Sequence, residues 1–284
     1  MPSVQVRALP FKGTYEFHQA SFWVDDVFLS MATRWPSVAH GVTVGQQTMV
    51  SIAMDDPPDL TVNGQKMTVP ALTIGAHNSE YWTAEAAPWQ SAIAIFPTSM
   101  AARGWPQPKT LHLVASTDPV TLNSLRRVII QLFSTASASP EIFESRASVL
   151  AMKESLHNAY DAAFASSAPD IFRGAFKYGA IMKNLNEHLN NNLGKLLYSD
   201  EISLELGVSA RTLNNVTRAV MGLSFHQYLR LRRLWSVRWA LLSGDPRMMV
   251  KSVALDHGFW HLGRFSVEYR RMFGESPSDT LNRR

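Results

Sequence analysis

The chain has 284 residues, 46% hydrophobic and 18% charged, a balance that excludes a disordered protein. It contains no cysteine, which excludes disulfide frameworks, cysteine-based zinc sites, thiol nucleophiles and thiol redox sensing. The formal net charge of +4 is unevenly spread: residues 1–174 carry 11 Lys and Arg against 14 Asp and Glu, and residues 175–284 carry 16 against 9.

A chain of this length is expected to form two domains. Thirteen of its 15 prolines precede residue 175, so the last part can be nearly all helix, because proline is expelled from helix interiors. No apolar run approaches the length of a membrane-spanning helix. The opening MPSVQVRALPFKGTYEF has no sustained apolar core of a secretory signal. A cytoplasmic protein without a membrane partner is expected, in keeping with the cysteine-free composition.

From the N-terminus, residues about 15–115 read as strands. Phe22–Val24, Val42–Val44, Met49–Ile52, Ala92–Phe96 and Leu111–Val114 are short apolar stretches separated by turn residues. Asn63-Gly64 lies between Leu60-Thr61-Val62 and Met67-Thr68-Val69, the signature of a hairpin turn with two residues at positive φ. Asp56-Pro57-Pro58 and Trp105-Pro106-Gln107-Pro108 read as loops. An antiparallel barrel or sandwich is the expected product.

Two helices follow, over about 118–165. Asp118-Pro119 is a helix start, and Leu122, Leu125, Ile129, Leu132 and Phe133 form one apolar stripe. Ser139-Pro140 repeats the signal, with Ile142, Phe143, Leu150 and Leu156 expected to be buried. The pair can join domains, pack against a second subunit in a homodimer, or pack on its own barrel. Ser166-Ser167-Ala168-Pro169 opens an expected linker over 166–174.

The stretch YSDEISLELGVSARTLNNVTRAVMG, Tyr198 to Gly222, reads as a short helix over Glu201–Leu206, a turn at Gly207, and a second helix capped by Ser209. Val208 enters the core between the helices, and Leu213 and Val216 point inward. Arg211, Thr212, Asn214, Asn215 and Arg218 face away. A short helix, a glycine turn and a capped helix with a polar outer face make a helix-turn-helix. The logic recurs in VKSVALDHGFWHLGRFSVEYRRMFGESP, with Gly258 at the turn, Phe259 as a plug, and Phe265, Tyr269 and Phe273 inward. Between the units, YLRLRRLWSVRWALL reads as one connecting helix.

These residues, above all GFWHLGRFSVEYRRMFGESPSDTL, LGVSARTL and YLRLRRL, resemble the DNA-binding domain of AraC/XylS-type bacterial transcriptional regulators over about residues 175–282. The resemblance implies two reading heads held apart by a rigid helix, double-stranded DNA as partner, and contact with RNA polymerase at the nucleoid, with activation and repression both open. Carried over by position, it implies base contacts from Arg211, Asn214 and Asn215, and from His261, Gly263, Arg264 and Val267. Phosphate contacts are implied for Ser209, Thr212, Arg218, Arg270 and Arg271. The chemistry agrees: arginine can bind guanine, and asparagine adenine, through two hydrogen bonds. Two positions depart from the pattern. Thr217 stands where the family has phenylalanine, and Ser203 where it has alanine; both need a hydrogen bond if buried.

The expected fold class is α+β. An N-terminal β-rich, cupin-like barrel or sandwich with helical linker (1–165) is followed by a linker (166–174) and an all-α domain with two helix-turn-helix motifs (175–284). In the β part, Trp23, Arg34, Trp35, Trp82 and Trp89 are candidates for a small-molecule effector pocket. No metal, cofactor or catalytic set is expected. His257 and His261 are separated by the Gly258 turn, His40 and His77 show no cupin-type His-x-His cluster, and no phosphate-loop, HExxH or GxSxG sequence is present. The expected function is therefore a sequence-specific, effector-controlled transcriptional regulator rather than an enzyme. The alternatives are a cupin-like enzyme and an effector-independent dimeric DNA-binding protein.

Overall fold

A computed structural model of the chain describes residues 4–10, 18–55, 59–67, 70–97, 100–170, 174–192, 197–243 and 248–283. The expected Asp56-Pro57-Pro58 loop, Thr68 and Val69 of the hairpin, and residues 171–173 of the linker lie outside the described residues. The chain divides into two compact units, one built mainly from residues 39–176 and the other mainly from 177–284.

The first unit contains strands β1 (Val4–Pro10), β2 (Gln19–Val24), β3 (Val27–Arg34), β4 (Ser37–Thr43), β5 (Thr48–Ala53), β6 (Leu60–Val62), β7 (Gln65–Lys66), β8 (Ala71–Ala76), β9 (Glu80–Glu85), β10 (Trp89–Phe96), β11 (Leu113–Ser116) and β12 (Ala168–Asp170). They form a five-stranded sheet, β1-β4-β9-β6-β7, and a seven-stranded sheet, β12-β11-β8-β5-β10-β3-β2. Every neighbouring pair in the larger sheet is antiparallel. The β6–β7 hairpin turns at Asn63 (φ 52°) and Gly64 (φ 84°), as the Asn-Gly dipeptide demands. Asn63 does more than turn the chain: its side chain donates to the His112 carbonyl (2.9 Å) and accepts from the Trp82 amide (2.8 Å).

Successive residues of a strand face opposite sides. In the larger sheet both sides are covered, which is why its strands read as nearly continuous apolar runs. Leu29, Val50, Ile52, Leu72, Ile74, Ala94 and Phe96 belong to one core cluster with the helices α1 (Pro119–Ala138) and α2 (Arg146–Ala165). Met49, Ser51, Ala53, Thr73 and Ile93 line the other side, where they meet Leu60, Val62, Tyr81 and Glu85 of the smaller sheet around a cavity of about 40 Å³.

Asp118 caps α1, accepting from the Val120 and Thr121 amides at 2.9 and 3.0 Å. Leu122, Leu125, Ile129 and Leu132 are buried on the sheet, and the Phe133 ring meets Phe22 at 4.8 Å. The second start signal behaves differently from expectation. Pro140–Glu144 makes only a 3-10 turn, and α2 begins six residues after Pro140, capped by Ser145. That shift rotates the helix: Val149, Leu156, Tyr160, Ala163 and Phe164 point inward, and Leu150 is exposed rather than buried. Of the three packing arrangements open to the pair, the structure shows it seated on its own sheet.

The stretch expected as a linker starts with structure. Ala168–Asp170 pairs antiparallel with β11, and Thr117 Oγ1 hydrogen-bonds Ser166 Oγ (2.7 Å) and the Ala163 carbonyl (3.1 Å) beside it. The open edge of β11 offers ladder partners that a polar composition alone does not reveal.

The second unit contains α3 (Ala175–Asn191), α4 (Ser199–Glu205), α5 (Ala210–Met221), α6 (Phe225–Ser243), α7 (Val250–Asp256), α8 (Leu262–Phe273) and α9 (Pro277–Asn282). Leu213, Val216, Val220, Leu234, Val237, Leu241, Phe265 and Tyr269 are buried in it. Among the described residues, no helix is long and apolar enough to cross a membrane.

Burial holds His112, in the first unit, far down at about 3, and its Nε2 lies 2.8 Å from Thr43 Oγ1. The unfolded chain takes up a proton near pH 6.5 that the folded chain refuses, so this neutral histidine favours folding above that pH. The contribution is lost as pH falls from 6.5 toward 3, at about 1.4 kcal/mol per pH unit. Calorimetry should show the β unit melting at progressively lower temperature between pH 7 and 4.5, with a flatter profile for His112→Gln. Equal slopes in the two proteins would remove His112 as the cause.

Candidate nucleic-acid interface

The second unit repeats one construction. In the first copy, α4 ends at Gly207 (φ 61°), Ser209 accepts from the Thr212 amide (3.1 Å), and α5 runs to a left-handed Gly222. In the second, α7 ends at Gly258 (φ 80°) and α8 runs to a left-handed Gly274. Both copies then start the next helix with a serine capping box: Ser224 with Gln227, and Ser276 with Asp279. At Gly207 a side chain would meet nothing within 4 Å, so the requirement there is the positive φ and not space.

The apolar face of α5 is Leu213, Val216, Val220 and Met221, and that of α8 is Phe265, Tyr269, Met272 and Phe273. Phe259 plugs the second turn, its ring 4.9 Å from Phe265. Val208, its counterpart in the first turn, is only half-buried. On the outer side of α5, Arg211, Asn215 and Arg218 are exposed and Thr212 is half-buried. On α8, His261, Gly263, Arg264, Val267, Arg270 and Arg271 are all exposed. Open space surrounds Gly263, so a partner backbone can approach the helix there.

Asn214 differs from the outward position assigned to it. At 100° per residue it sits on the flank of α5, half-buried, and its Oδ1 accepts from the Phe225 amide at 3.3 Å, where α6 begins. Its carbonyl accepts from Thr217 Oγ1 at 3.2 Å. That bond serves the fully buried Thr217, and Ser203 Oγ donates likewise to the Ser199 carbonyl (2.8 Å). Both departures from the family pattern are thus satisfied by the preceding turn of their own helices.

Charge on α8 is organised through Glu268. Its two oxygens accept from Arg264 Nε (3.0 Å) and Arg230 Nε (2.7 Å), which ties the start of α8 to α6. Sequence reading missed Glu268, Arg230 and the 64%-exposed Trp260 at the second turn. An (i, i+4) Arg–Glu pair in α8 was a signal for the first. His257 Nδ1 donates to the Val253 carbonyl (2.8 Å) as part of the end of α7. Among the described residues, no group of three His, Cys, Asp or Glu is placed to hold a metal.

The five effector candidates are not brought together. Arg34 and Trp89 line the cavity between the sheets. Trp23 is 47% exposed on the edge strand β2, Trp35 is half-buried away from the cavity, and Trp82 is buried with its ring stacked on His40 (4.6 Å). The cavity instead gains Glu85, which was not foreseen. It is 1% exposed, and one oxygen accepts from Arg34 (3.1 Å) and Thr83 (3.3 Å). Its other oxygen and the buried Trp89 indole N–H have no hydrogen-bond partner among the described residues.

The placement of Asn214 yields a test. Asn214→Ala should cost about 1 kcal/mol of folding stability through loss of a helix-start acceptor. It should leave base preference intact, whereas Arg211→Ala and Asn215→Ala should do the reverse. Thermal melts beside a binding-site selection would decide, and a relaxed preference in Asn214→Ala at unchanged stability would restore it to the reading face.

Residues 202–283 match the family model described as "Helix-turn-helix domain". Over 113 residues the chain is 39% identical to the XylDLEGF operon transcriptional activator of Pseudomonas putida, covering 38% of this chain and 33% of that one. Over 99 residues it is 35% identical to the XylDLEGF operon transcriptional activator 2 of the same organism, covering 34% and 62%. The match thus spans about a third of the first relative and less than two thirds of the second. Among solved structures, the AraC-like transcriptional activator CuxR is similar with a TM-score of 0.41 and 14% identity, over 82% of this chain and 85% of that one. ToxT from Vibrio cholerae is similar with a TM-score of 0.33 and 12% identity, over 99% and 98%. Likeness at that level carries no argument about the N-terminal unit. The sequence matches fall on the part of the chain that carries the twice-repeated construction, and show that this part is similar to a helix-turn-helix domain and to the matching parts of the two Pseudomonas putida activators.

Proposed function

We propose that the protein is a sequence-specific DNA-binding regulator of transcription, with a small-molecule effector site in its N-terminal unit. One observation carries the first part: two helix-turn-helix units joined by a single uninterrupted helix, each with an exposed basic outer face. At 1.5 Å per residue, the 19 residues of α6 span about 28 Å, close to the ~34 Å between successive major-groove segments on one face of DNA. Arg211 and Asn215 read one segment; His261, Gly263, Arg264 and Val267 read the next. Ser209, Thr212, Arg218, Arg270 and Arg271 hold phosphates, which position the protein without reading sequence.

The effector site rests on the cavity between the sheets. Its Arg34 charge is met by Glu85, and the free oxygen of Glu85 asks for a hydrogen-bond donor. At about 40 Å³ it admits a group of few atoms. The related proteins are activators by name, which supports activation through RNA polymerase. Exposed Val120, Ile130 and Leu150 on α1 and α2 support a homodimer. A non-enzymatic role at the bacterial nucleoid completes this reading.

Genome-wide mapping of bound DNA, followed by footprinting of the recovered sites, tests the proposal. Two protected major-groove segments about one turn apart are expected, with the logarithm of the binding constant falling linearly as log salt rises. Arg264→Ala should weaken specific binding by about 1–3 kcal/mol and relax preference at one base position. Wild-type discrimination in that variant would remove Arg264 from the reading set. For the effector, a metabolite that raises the melting temperature of the wild type should fail on Glu85→Gln. Equal stabilisation of both would move the site elsewhere.

A further inference from the structure

Between the two helix-turn-helix units lies a cleft of about 260 Å³. Tyr198 at the start of α4, His226, Arg230 and Arg233 on α6, and Trp260 and Arg264 at the second turn line it. Three guanidiniums therefore face one cavity, and the carboxylate that reaches them, Glu268, is shared by Arg230 and Arg264. Arg233 has no ion pair among the described residues. It is half-buried and donates to the Leu197 carbonyl, and burial together with the neighbouring Arg230 charge pulls its pKa down. A partly desolvated cation without a counter-ion is costly in the free protein and is relieved by an incoming anion.

We infer that this cleft seats the DNA sugar-phosphate backbone that crosses between the two major-groove segments, with Arg233 and Arg230 as its phosphate-binding side chains. The inference rests on the DNA-binding reading above. The partner is fixed by two features. His261 and Arg264, candidates for base contact, lie on the wall of the same cleft, so DNA docked on α8 brings its backbone to the mouth. Between two major-groove segments reached from one face, the intervening minor groove presents its flanking phosphates to the protein. The exposed Trp260 ring supplies an apolar wall for the sugars. Phosphate contacts of this kind add affinity for every sequence and no discrimination.

The test uses the full chain and duplexes with and without the recovered site. Arg233→Gln should weaken binding to both about equally, roughly tenfold, and reduce the slope of log K against log salt by about 0.9. Arg233→Lys should restore the slope. His226→Glu is a second probe: residue 226 is exposed in the first turn of α6, where an acidic side chain does not harm the helix, and the new carboxylate would occupy Arg230 and Arg233. It should show the same uniform loss, and it decides alone if Arg233→Gln fails to fold. Folded variants with wild-type affinity and slope would overturn the inference. So would inorganic phosphate that raises the melting temperature of the wild type but not of His226→Glu while leaving DNA affinity unchanged at matched ionic strength, which would give the cleft to a free anion. A wild-type chain without salt-dependent DNA affinity would instead remove the parent reading.

Discussion

The C-terminal half of this protein hangs on two backbone turns at positive φ. Gly207 and Gly258 stop the short helices α4 and α7 and send the chain at once into a second helix. Any residue with a Cβ strains there, by roughly 1–2 kcal/mol. Everything functional is downstream of that geometry. The turns fix how α5 and α8 leave the core, and so which residues face out. The plug after the second turn, Phe259, is buried, and its counterpart Val208 is half-buried. The second unit is the better packed of the two.

The two units are coupled by charge as well as by α6. Glu268 binds Arg264 of the second recognition helix and Arg230 of α6 at once, so the guanidinium assigned to base reading is oriented before any partner arrives. Arginine held in a fixed fork loses less freedom on forming two hydrogen bonds to one base. The same cluster leaves Arg233 without an ion pair among the described residues in the cleft beside it. Ordering one arginine and leaving the next without an ion pair among the described residues suits the proposed tasks of discriminating bases and attracting phosphates.

In the N-terminal unit the governing constraint is a sheet covered on both faces. One face packs on α1 and α2 through large apolar residues; the other holds the smaller polar residues that surround Glu85. Alternation within β5 puts Val50 and Ile52 on the first side and Met49, Ser51 and Ala53 on the second. A buried carboxylate half-satisfied by Arg34 is tolerable only where something else can complete it. That favours the cavity, which Trp89 lines and Trp23, Trp35 and Trp82 do not, as the place of the proposed effector.

The sequence by itself determined every feature whose cause is local. The Asn63-Gly64 turn, the Asp118 cap, the apolar stripe of α1, the glycine turns and the Ser209 cap follow from φ preferences and short-range hydrogen bonds, which adjacent residues settle. Only the tertiary structure decided features that depend on a distant partner. Ala168–Asp170 became a strand because β11 had an open edge, and Asn214 turned from the outer face of α5 because the start of α6 lay within reach. Leu150 stayed exposed because the sheet took Val149, one position away, once α2 began late. Glu85, Arg233 and Glu268 gained their importance in the same way, since burial and pairing across dozens of residues are set by packing and not by neighbours in the chain.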